Sequence, residues 1–326
     1  MNNYPLYSKV LHNLCLNNKL IRTSLYELEK IFFLKNKDQK IINEEHIFIT
    51  GMPRAGTTAV LNYIYYSGLF SSLLYKDMPF LFSPNFQSLL SFNRNISLSK
   101  RFHDDGIMIN LDSPEAFDEV FLNNFEKNIL EIEFLNYVQL IIKKYKKRRY
   151  ISKNNHNYKR INFLKKVFPS SKILVIFRNP LDQSFSLLNQ HINFSKLHKT
   201  NTFSKKYMRS LYHFEFGDLH SAWFNPNKYL NNLEVNYWLE QWYLFYKKMI
   251  DNYSLDNFVF INYDLLKKSN YLSKFKKFIK IEKSKFDLNF NFKSYNEISL
   301  DKKLNSDCKI IYEKMSDFSK KTLNTF

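Results

Sequence analysis

The feature that most constrains the fold is a strand, a glycine-containing loop and a helix in direct succession. Residues 46–50 form a short apolar run, as expected of a buried strand, and Gly51 and Pro53 end it. A helical pattern follows over about 57–67. In such a unit, the backbone N–H groups of the loop and of the first helical turn point toward the same position. The segment therefore predicts a site for a phosphate or a similar anion.

A second unit of the same kind lies further along the chain. Residues 172–177 are almost continuously apolar, which is typical of a central parallel strand covered on both faces. Asn179 and Pro180 then offer the N-cap and first position of a helix reaching about residue 190. Arg178 lies at the carboxyl edge, where open α/β sheets bind ligands, and Ser186 follows eight positions later. A second anion site is one interpretation, and a capped helix whose arginine pairs with a carboxylate is the other.

Further strand candidates at 150–153 and 258–261 alternate with helical patterns. This alternation predicts an α/β fold with a P-loop-like parallel sheet flanked by helices. The predicted organisation is a helical leader (1–44), the α/β domain (45–270) and a helical, lysine-rich extension of the same domain (271–326).

Composition limits the class of protein. With 44% hydrophobic and 17% aromatic residues, the chain can bury a sizeable core, which excludes a disordered protein. A net charge of +19 would suit nucleic acid as a partner. The lysines are spread along the whole chain, however, so we favour a solvated basic surface with a small anionic ligand. We therefore expect no nucleic-acid partner. A basic nucleic-acid-binding protein is kept as the alternative interpretation.

The location of the protein is also predicted from composition. No run reaches the roughly 18 to 20 apolar residues of a membrane span, and residues 1–19 lack the apolar region of a signal peptide. Cys15 and Cys308 are far apart and show no metal-like spacing. We expect a cytoplasmic protein with two reduced thiols, no membrane span and no zinc site.

The residues of the first loop narrow the ligand. In the P-loop of nucleoside triphosphatases, the last glycine precedes Lys and then Ser or Thr. Here Gly56 precedes Thr57 and Thr58, and the cation comes earlier, at Arg54. The usual lysine for the β and γ phosphates is therefore missing. A nucleotide kinase or another phosphotransferase stays as an alternative, as does a turn that only requires glycine and a threonine cap.

Together the two units resemble the PAPS-dependent sulfotransferases, whose donor is 3'-phosphoadenosine 5'-phosphosulfate. The first unit matches their 5'-phosphosulfate loop, and the second matches their 3'-phosphate site. The resemblance covers about 47–264, and the stretch 207–217 is similar to a bacterial, carbohydrate-sulfotransferase-like branch. Ala59 stands where the phenol and steroid enzymes have a tryptophan that stacks on adenine. The adenine contact is therefore unassigned.

The resemblance implies in-line transfer of a sulfonate to a hydroxyl or amine, without a metal. The acceptor would be a carbohydrate, another small metabolite or a glycolipid, in a cleft built by 75–125 and 195–245. Lys153 would add a second cation on the sulfonate. The donor-binding residues would be Pro53, Arg54, Ala55, Gly56, Thr57, Thr58, Arg178 and Ser186.

Three residues compete as the base that takes the acceptor's proton. Asp77 follows Arg54 by 23 positions, about where carbohydrate sulfotransferases that use a carboxylate place it, and ranks first. A turn cap is its alternative role. His103 could act directly or line the acceptor pocket. His156 follows Lys153 by three positions, whereas the phenol and steroid enzymes have their histidine after two.

Overall fold

The computed structural model describes residues 10–34, 39–89, 99–100, 108–115, 117–125, 127–254, 256–288, 290 and 300–326. Its strands are β1 (Ile47–Thr50), β2 (Phe70–Ser71), β3 (Ser99–Lys100), β4 (Met108–Ile109), β5 (Arg149–Lys153), β6 (Lys172–Phe177) and β7 (Val259–Asn262). Its α-helices are α1 (Lys19–Phe33), α2 (Thr57–Tyr65), α3 (Pro84–Leu89), α4 (Asp118–Leu122), α5 (Lys127–Tyr145), α6 (Ile161–Val167), α7 (Pro180–Thr200), α8 (Thr202–Ser210), α9 (Val235–Asp251), α10 (Ser269–Ile279) and α11 (Lys302–Asn324).

The main sheet has five strands in the order β2-β5-β1-β6-β7, and every neighbouring pair is parallel. In the central strand β1, Ile49 pairs with Lys153 of β5 on one side and with Leu174 of β6 on the other. Parallel strands end at one edge, so the segments that follow β1, β5 and β6 lie side by side. The predicted α/β fold with a parallel sheet and flanking helices is confirmed.

Both faces of the sheet are covered, as the apolar run of β6 indicates. Successive side chains of a strand point to opposite faces. Phe48 accordingly packs in an aromatic-rich core that includes Trp242 of α9. Ile49 packs in a second core on the other face, with Leu61 of α2 and Phe275 of α10. The two cores hold the sheet between helical layers and fix the position of its carboxyl edge.

Helix ends differ from the sequence-based expectation where a side-chain cap decides them. The helix α7 begins as predicted, since the Asn179 side chain accepts hydrogen bonds from the N–H groups of Leu181 and Asp182. It continues to Thr200 instead of about residue 190. No glycine or proline interrupts it, and it ends where the side chain of Asn201 caps the next helix.

The C-terminal helix α11 packs against the edge strand β7. The Asn262 side chain donates to Tyr312 Oη at 3.0 Å and to Ser316 Oγ at 2.9 Å. The division into leader, domain and extension stays a prediction. In the described part of the chain, no helix has both the length and the apolar character needed to cross a membrane.

Candidate active site

The loop after β1 takes a shape that only glycine permits at two points. Gly51 has φ 137°, and a Cβ there would lie 2.4 Å from the carbonyl oxygen of Ile176 in β6. Gly56 has φ 94°, and a Cβ there would lie 2.4 Å from the ring of Tyr263. Side-chain-bearing residues rarely adopt such φ values. The loop is therefore closely enclosed by β6 and by the segment after β7.

The loop ends directly at the N-terminus of α2. Gly56 is the N-cap residue, and Thr57 and Thr58 are the first two helical residues, both buried. N–H groups of a first helical turn have no partner within the helix, and they form the positive end of its dipole. The predicted succession of strand, loop and helix is therefore present, with two threonine hydroxyls at its anion-attracting end.

The second motif lies beside the first. Arg54 occupies the left-handed region with φ 67°, and its Nε donates to Ser186 Oγ of α7 at 2.9 Å. Gln183, one turn earlier in α7, donates to the carbonyl oxygen of Pro53 at 2.9 Å and accepts from Trp242 Nε1. The start of α7 thus supports the loop after β1, which brings the two predicted anion sites together.

Arg178 leaves β6 at the carboxyl edge, between two carboxylates. Its Nη2 lies 3.9 Å from Asp182 Oδ2, and its Nε lies 3.9 Å from Asp264 Oδ1. Asp264 also accepts from the Asn179 N–H at 2.7 Å, and burial raises its pKa. The structure thus shows the capped helix and the arginine near carboxylates that the second interpretation of this motif predicts. The same arrangement is compatible with anion binding by Arg178.

Lys153 ends β5, next to the loop. Lys153 pairs with Ile49, which lies near the end of β1 and two residues before Gly51. The lysine is therefore next to the start of the loop. Its Nζ lies 3.5 Å from Glu115 Oε1, and the two side chains are 7% and 5% exposed. Tyr75 Oη donates to Glu115 Oε2 at 2.6 Å. The predicted sulfonate lysine therefore has a buried carboxylate as its neighbour.

Glu115 is not among the residues that the sequence marks. No local pattern separates it from the surrounding polar positions, because its neighbours come from distant segments. An antiparallel bridge between Leu74 and Pro114 holds its segment beside the chain that follows β2. The N–H of Glu115 itself donates to the carbonyl oxygen of Leu73. The short motif Asp-Ser-Pro-Glu at 112–115, with a proline beside a carboxylate, is the one available signal.

Asp77 has a different environment from the one a base requires. The side chain is 0% exposed. Oδ1 accepts from Lys144 Nζ at 2.6 Å, and Oδ2 accepts from the Leu74 N–H and from Tyr145 Oη, each at 2.7 Å. An acceptor could reach this carboxylate only after these contacts break. The geometry favours the turn-cap alternative over the assignment of Asp77 as base.

The two histidine candidates have different outcomes. His103 lies outside the described residues. The Nδ1 of His156 lies 3.4 Å from Glu119 Oε1, and Arg160 holds both oxygens of Glu119 at 2.7 and 2.8 Å. Burial tends to raise the pKa of Glu119, but the hydrogen bonds from His156 and Arg160 outweigh it and lower that pKa well below its usual range. Glu119 is thus held in its charged form, as a partner of the Arg160 guanidinium and of the His156 ring.

The family of this chain follows from a comparison of its sequence with models of protein families. A family model described as the sulfotransferase family matches residues 46–269, which include both motifs and Lys153. The chain belongs to the sulfotransferase family. The suspected family is thereby confirmed. In the described parts of this sulfotransferase, no group of three or more His, Cys, Asp or Glu side chains is placed to hold a metal ion.

Solved structures similar to this sulfotransferase include bacterial members. STF1 from Mycobacterium tuberculosis is 11% identical, with a TM-score of 0.49 over 85% of this chain and 78% of that one. STF9 from Mycobacterium avium is 11% identical, with a TM-score of 0.46 over 100% of this chain and 88% of that one. Comparison with curated protein sequences gives no match.

Proposed function

We propose that this sulfotransferase takes its sulfonate from PAPS and transfers it to a hydroxyl or amine of a carbohydrate, another small metabolite or a glycolipid. One observation carries the donor assignment. The hydrogen bond from Arg54 Nε to Ser186 Oγ makes one continuous polar surface of two motifs. PAPS has two anionic ends, a phosphosulfate and a 3'-phosphate, and such a surface offers donors to both.

On the phosphosulfate side, the donors come from the first loop. Arg54 supplies a guanidinium fork, and the start of α2 supplies N–H groups with the hydroxyls of Thr57 and Thr58. The remaining loop residues Pro53, Ala55 and Gly56 would contribute main-chain contacts. The missing side chain at Gly56 lets the loop pack directly against the ring of Tyr263, since a Cβ there would lie 2.4 Å from that ring.

On the 3'-phosphate side, the donors are Arg178 and Ser186. Arg178 leaves the end of β6, and Ser186 lies on the second turn of α7. Lys153, at the end of β5, would contact the sulfonate from the other side of β1. Donors placed before the reaction stabilise the charge that builds on the leaving oxygen without further reorganisation.

The donor is tested by ligand selectivity. A ligand that binds only the native state raises apparent stability. Thermal shift and calorimetry would compare adenosine 3',5'-bisphosphate, adenosine 5'-phosphate, Mg-ATP and single-stranded DNA. We expect strong stabilisation by the bisphosphate and weaker stabilisation by the 5'-phosphate. Preferred binding of Mg-ATP would support a phosphotransferase, and broad, salt-sensitive stabilisation by DNA would support a nucleic-acid-binding protein.

The 3'-phosphate site is tested by one substitution and its control. Arg178→Ala should remove most of the preference for the bisphosphate over the 5'-phosphate, whereas Arg209→Ala, at an exposed position of α8, should keep it. An equal loss of affinity for both nucleotides would point to a folding role for Arg178. A search for sulfated products in cells with and without the gene addresses the acceptor. The cytoplasmic location stays a prediction.

A further inference from the structure

We propose that Glu115 is the general base of this sulfotransferase and takes the proton of the acceptor group as the sulfonate is transferred. The proposal rests on the proposed function, because it places the reacting sulfonate at Lys153. Glu115 is a carboxylate in contact with this lysine, at 3.5 Å between Oε1 and Nζ. A group in that position adjoins both the sulfonate and the atom that attacks it.

The position of Glu115 follows from the order of the sheet. Lys153 ends β5, which lies between the central strand β1 and the edge strand β2. Glu115 approaches from the β2 side, because its segment bonds to the chain just after β2 through the Leu74 and Pro114 bridge. The donor loop follows β1, on the other side of Lys153. In the order of the sheet, Lys153 thus lies between the donor loop and the segment that carries Glu115. In-line displacement places the attacking atom on the side of sulfur opposite the leaving oxygen, and a base on the β2 side suits that position.

The orientation of Glu115 is set by Tyr75. Its Oη donates to Oε2 at 2.6 Å, while Oε1 is the oxygen turned toward Lys153. A base held in place by a third group is the arrangement typical of activated nucleophiles. Each carboxylate oxygen has more than one lone pair, so Oε1 can accept the acceptor's proton while it remains near the ammonium group.

Two other described acidic residues of this region fit the role less well. Both oxygens of Asp77 are bonded inside a closed network with Lys144 and Tyr145. Glu119 is held by two hydrogen bonds from Arg160, and a carboxylate stabilised in its charged form is a weak proton acceptor. Of the two histidine candidates, the described one is His156, which faces Glu119, and the experiment must separate it from Glu115.

In the proposed step, one bond to sulfur forms and one bond to sulfur breaks. The acceptor oxygen or nitrogen forms a bond to sulfur, and the bond from sulfur to the bridging oxygen of PAPS breaks. The electron pair of that bond leaves with adenosine 3',5'-bisphosphate. The acceptor's proton passes to Oε1 of Glu115, which becomes a neutral carboxylic acid and later releases the proton to water. Lys153 donates to the sulfonate oxygens throughout.

The test separates donor binding from transfer. Purified full-length enzyme would receive PAPS labelled with sulfur-35 together with a cell extract, and all label moved to organic acceptors or to water would be counted. The variants are Glu115→Gln, Glu115→Asp and His156→Asn. Glu131→Gln is the matched control, because Glu131 lies on α5 outside the predicted acceptor cleft and pairs with Lys166 at the surface. Calorimetry with adenosine 3',5'-bisphosphate would accompany each variant.

Glu115→Gln should slow transfer by about 10² to 10⁴-fold, the usual contribution of a general base. Nucleotide affinity should stay equal or increase, because Lys153 loses a competing carboxylate. Glu115→Asp should recover part of the rate, and the wild-type rate should fall at acid pH with one ionisation that Glu115→Gln removes. Glu131→Gln should behave as the wild type. If Glu115→Gln does not fold, Glu115→Asp with the pH profile provides the test.

Three results would overturn the proposal. The first is a Glu115→Gln rate within tenfold of the wild type. The second is weaker nucleotide binding in both Glu115 variants, which would mark a structural ion pair. The third is a large loss in His156→Asn that removes the pH dependence. If the wild type binds the nucleotide but moves no label to any acceptor, the proposed function itself fails, and the proposal fails with it.

Discussion

The Nε of Arg54 donates a hydrogen bond to the Oγ of Ser186 at 2.9 Å, although 132 positions separate the two residues in the chain. The first belongs to the loop after β1, and the second lies on the helix after β6. Because β1 and β6 are neighbours in a parallel sheet, their following segments meet at one edge. We therefore expect a substitution at either residue to change the affinity for the same nucleotide.

Arg54→Ala should weaken binding of adenosine 3',5'-bisphosphate. Loss of a charge-assisted hydrogen bond costs about 1.5 to 3 kcal/mol, which corresponds to roughly 10- to 150-fold in affinity. Calorimetry measures it, with Arg148→Ala as control, since that arginine is 79% exposed and pairs with Glu44. Adding Ser186→Ala should give a smaller extra loss than in the wild type, because contacting residues are not additive. Unchanged affinity in Arg54→Ala would remove it from the site.

Asp77→Asn should lower stability more than it lowers nucleotide affinity. The change leaves the buried ammonium of Lys144 without its 2.6 Å carboxylate partner, and breaking a buried pair costs about 3 to 5 kcal/mol. Urea unfolding measures the loss. Asp112→Asn, which removes a half-exposed pair with Lys76, should cost less than about 1 kcal/mol. A stable Asp77→Asn enzyme that binds nucleotide but transfers nothing would restore Asp77 as base.

Gly56→Ala should destabilise the protein and abolish nucleotide binding. The new Cβ would lie 2.4 Å from the Tyr263 ring, so the loop or the ring must move. Gly68→Ala is a matched control, since Gly68 has φ 82° but nothing lies within 4 Å of its Cβ position. That variant should lose only the roughly 1 to 2 kcal/mol of left-handed backbone strain. Equal unfolding curves and equal nucleotide affinities for the two variants would exclude the proposed enclosure of the loop.

Asp118 should make stability depend on pH. Burial raises its pKa to about 6, and Tyr150 Oη donates to its carboxylate at 2.7 Å. The folded pKa exceeds the unfolded value of about 3.9, so the folded state binds more protons and stability falls as pH rises between the two. From pH 4 to 7 the wild type should lose about 2 kcal/mol relative to Asp118→Asn. Parallel pH profiles of unfolding free energy would contradict this.

The elements around the donor loop could be predicted because local rules determine them. Glycine at Gly51, the cap at Asn179 and the apolar runs of β1 and β6 act through neighbours a few residues away. Helix ends were less predictable. The end of α7 at Thr200 depends on which asparagine caps the following helix, and several polar residues in that stretch could serve.

The sequence by itself determined the fold class, the family and the two motifs at the carboxyl edge, since each motif is a contiguous run with its own backbone requirements. Tertiary structure decided which side chains surround each acidic residue. Asp77 is enclosed by Lys144 and Tyr145, which lie 67 and 68 positions away, and Glu115 reaches Lys153 only through the pairing of its segment after β2. The environment of a carboxylate depends on burial and on the charges packed around it, and these come from distant parts of the chain that no local pattern reveals.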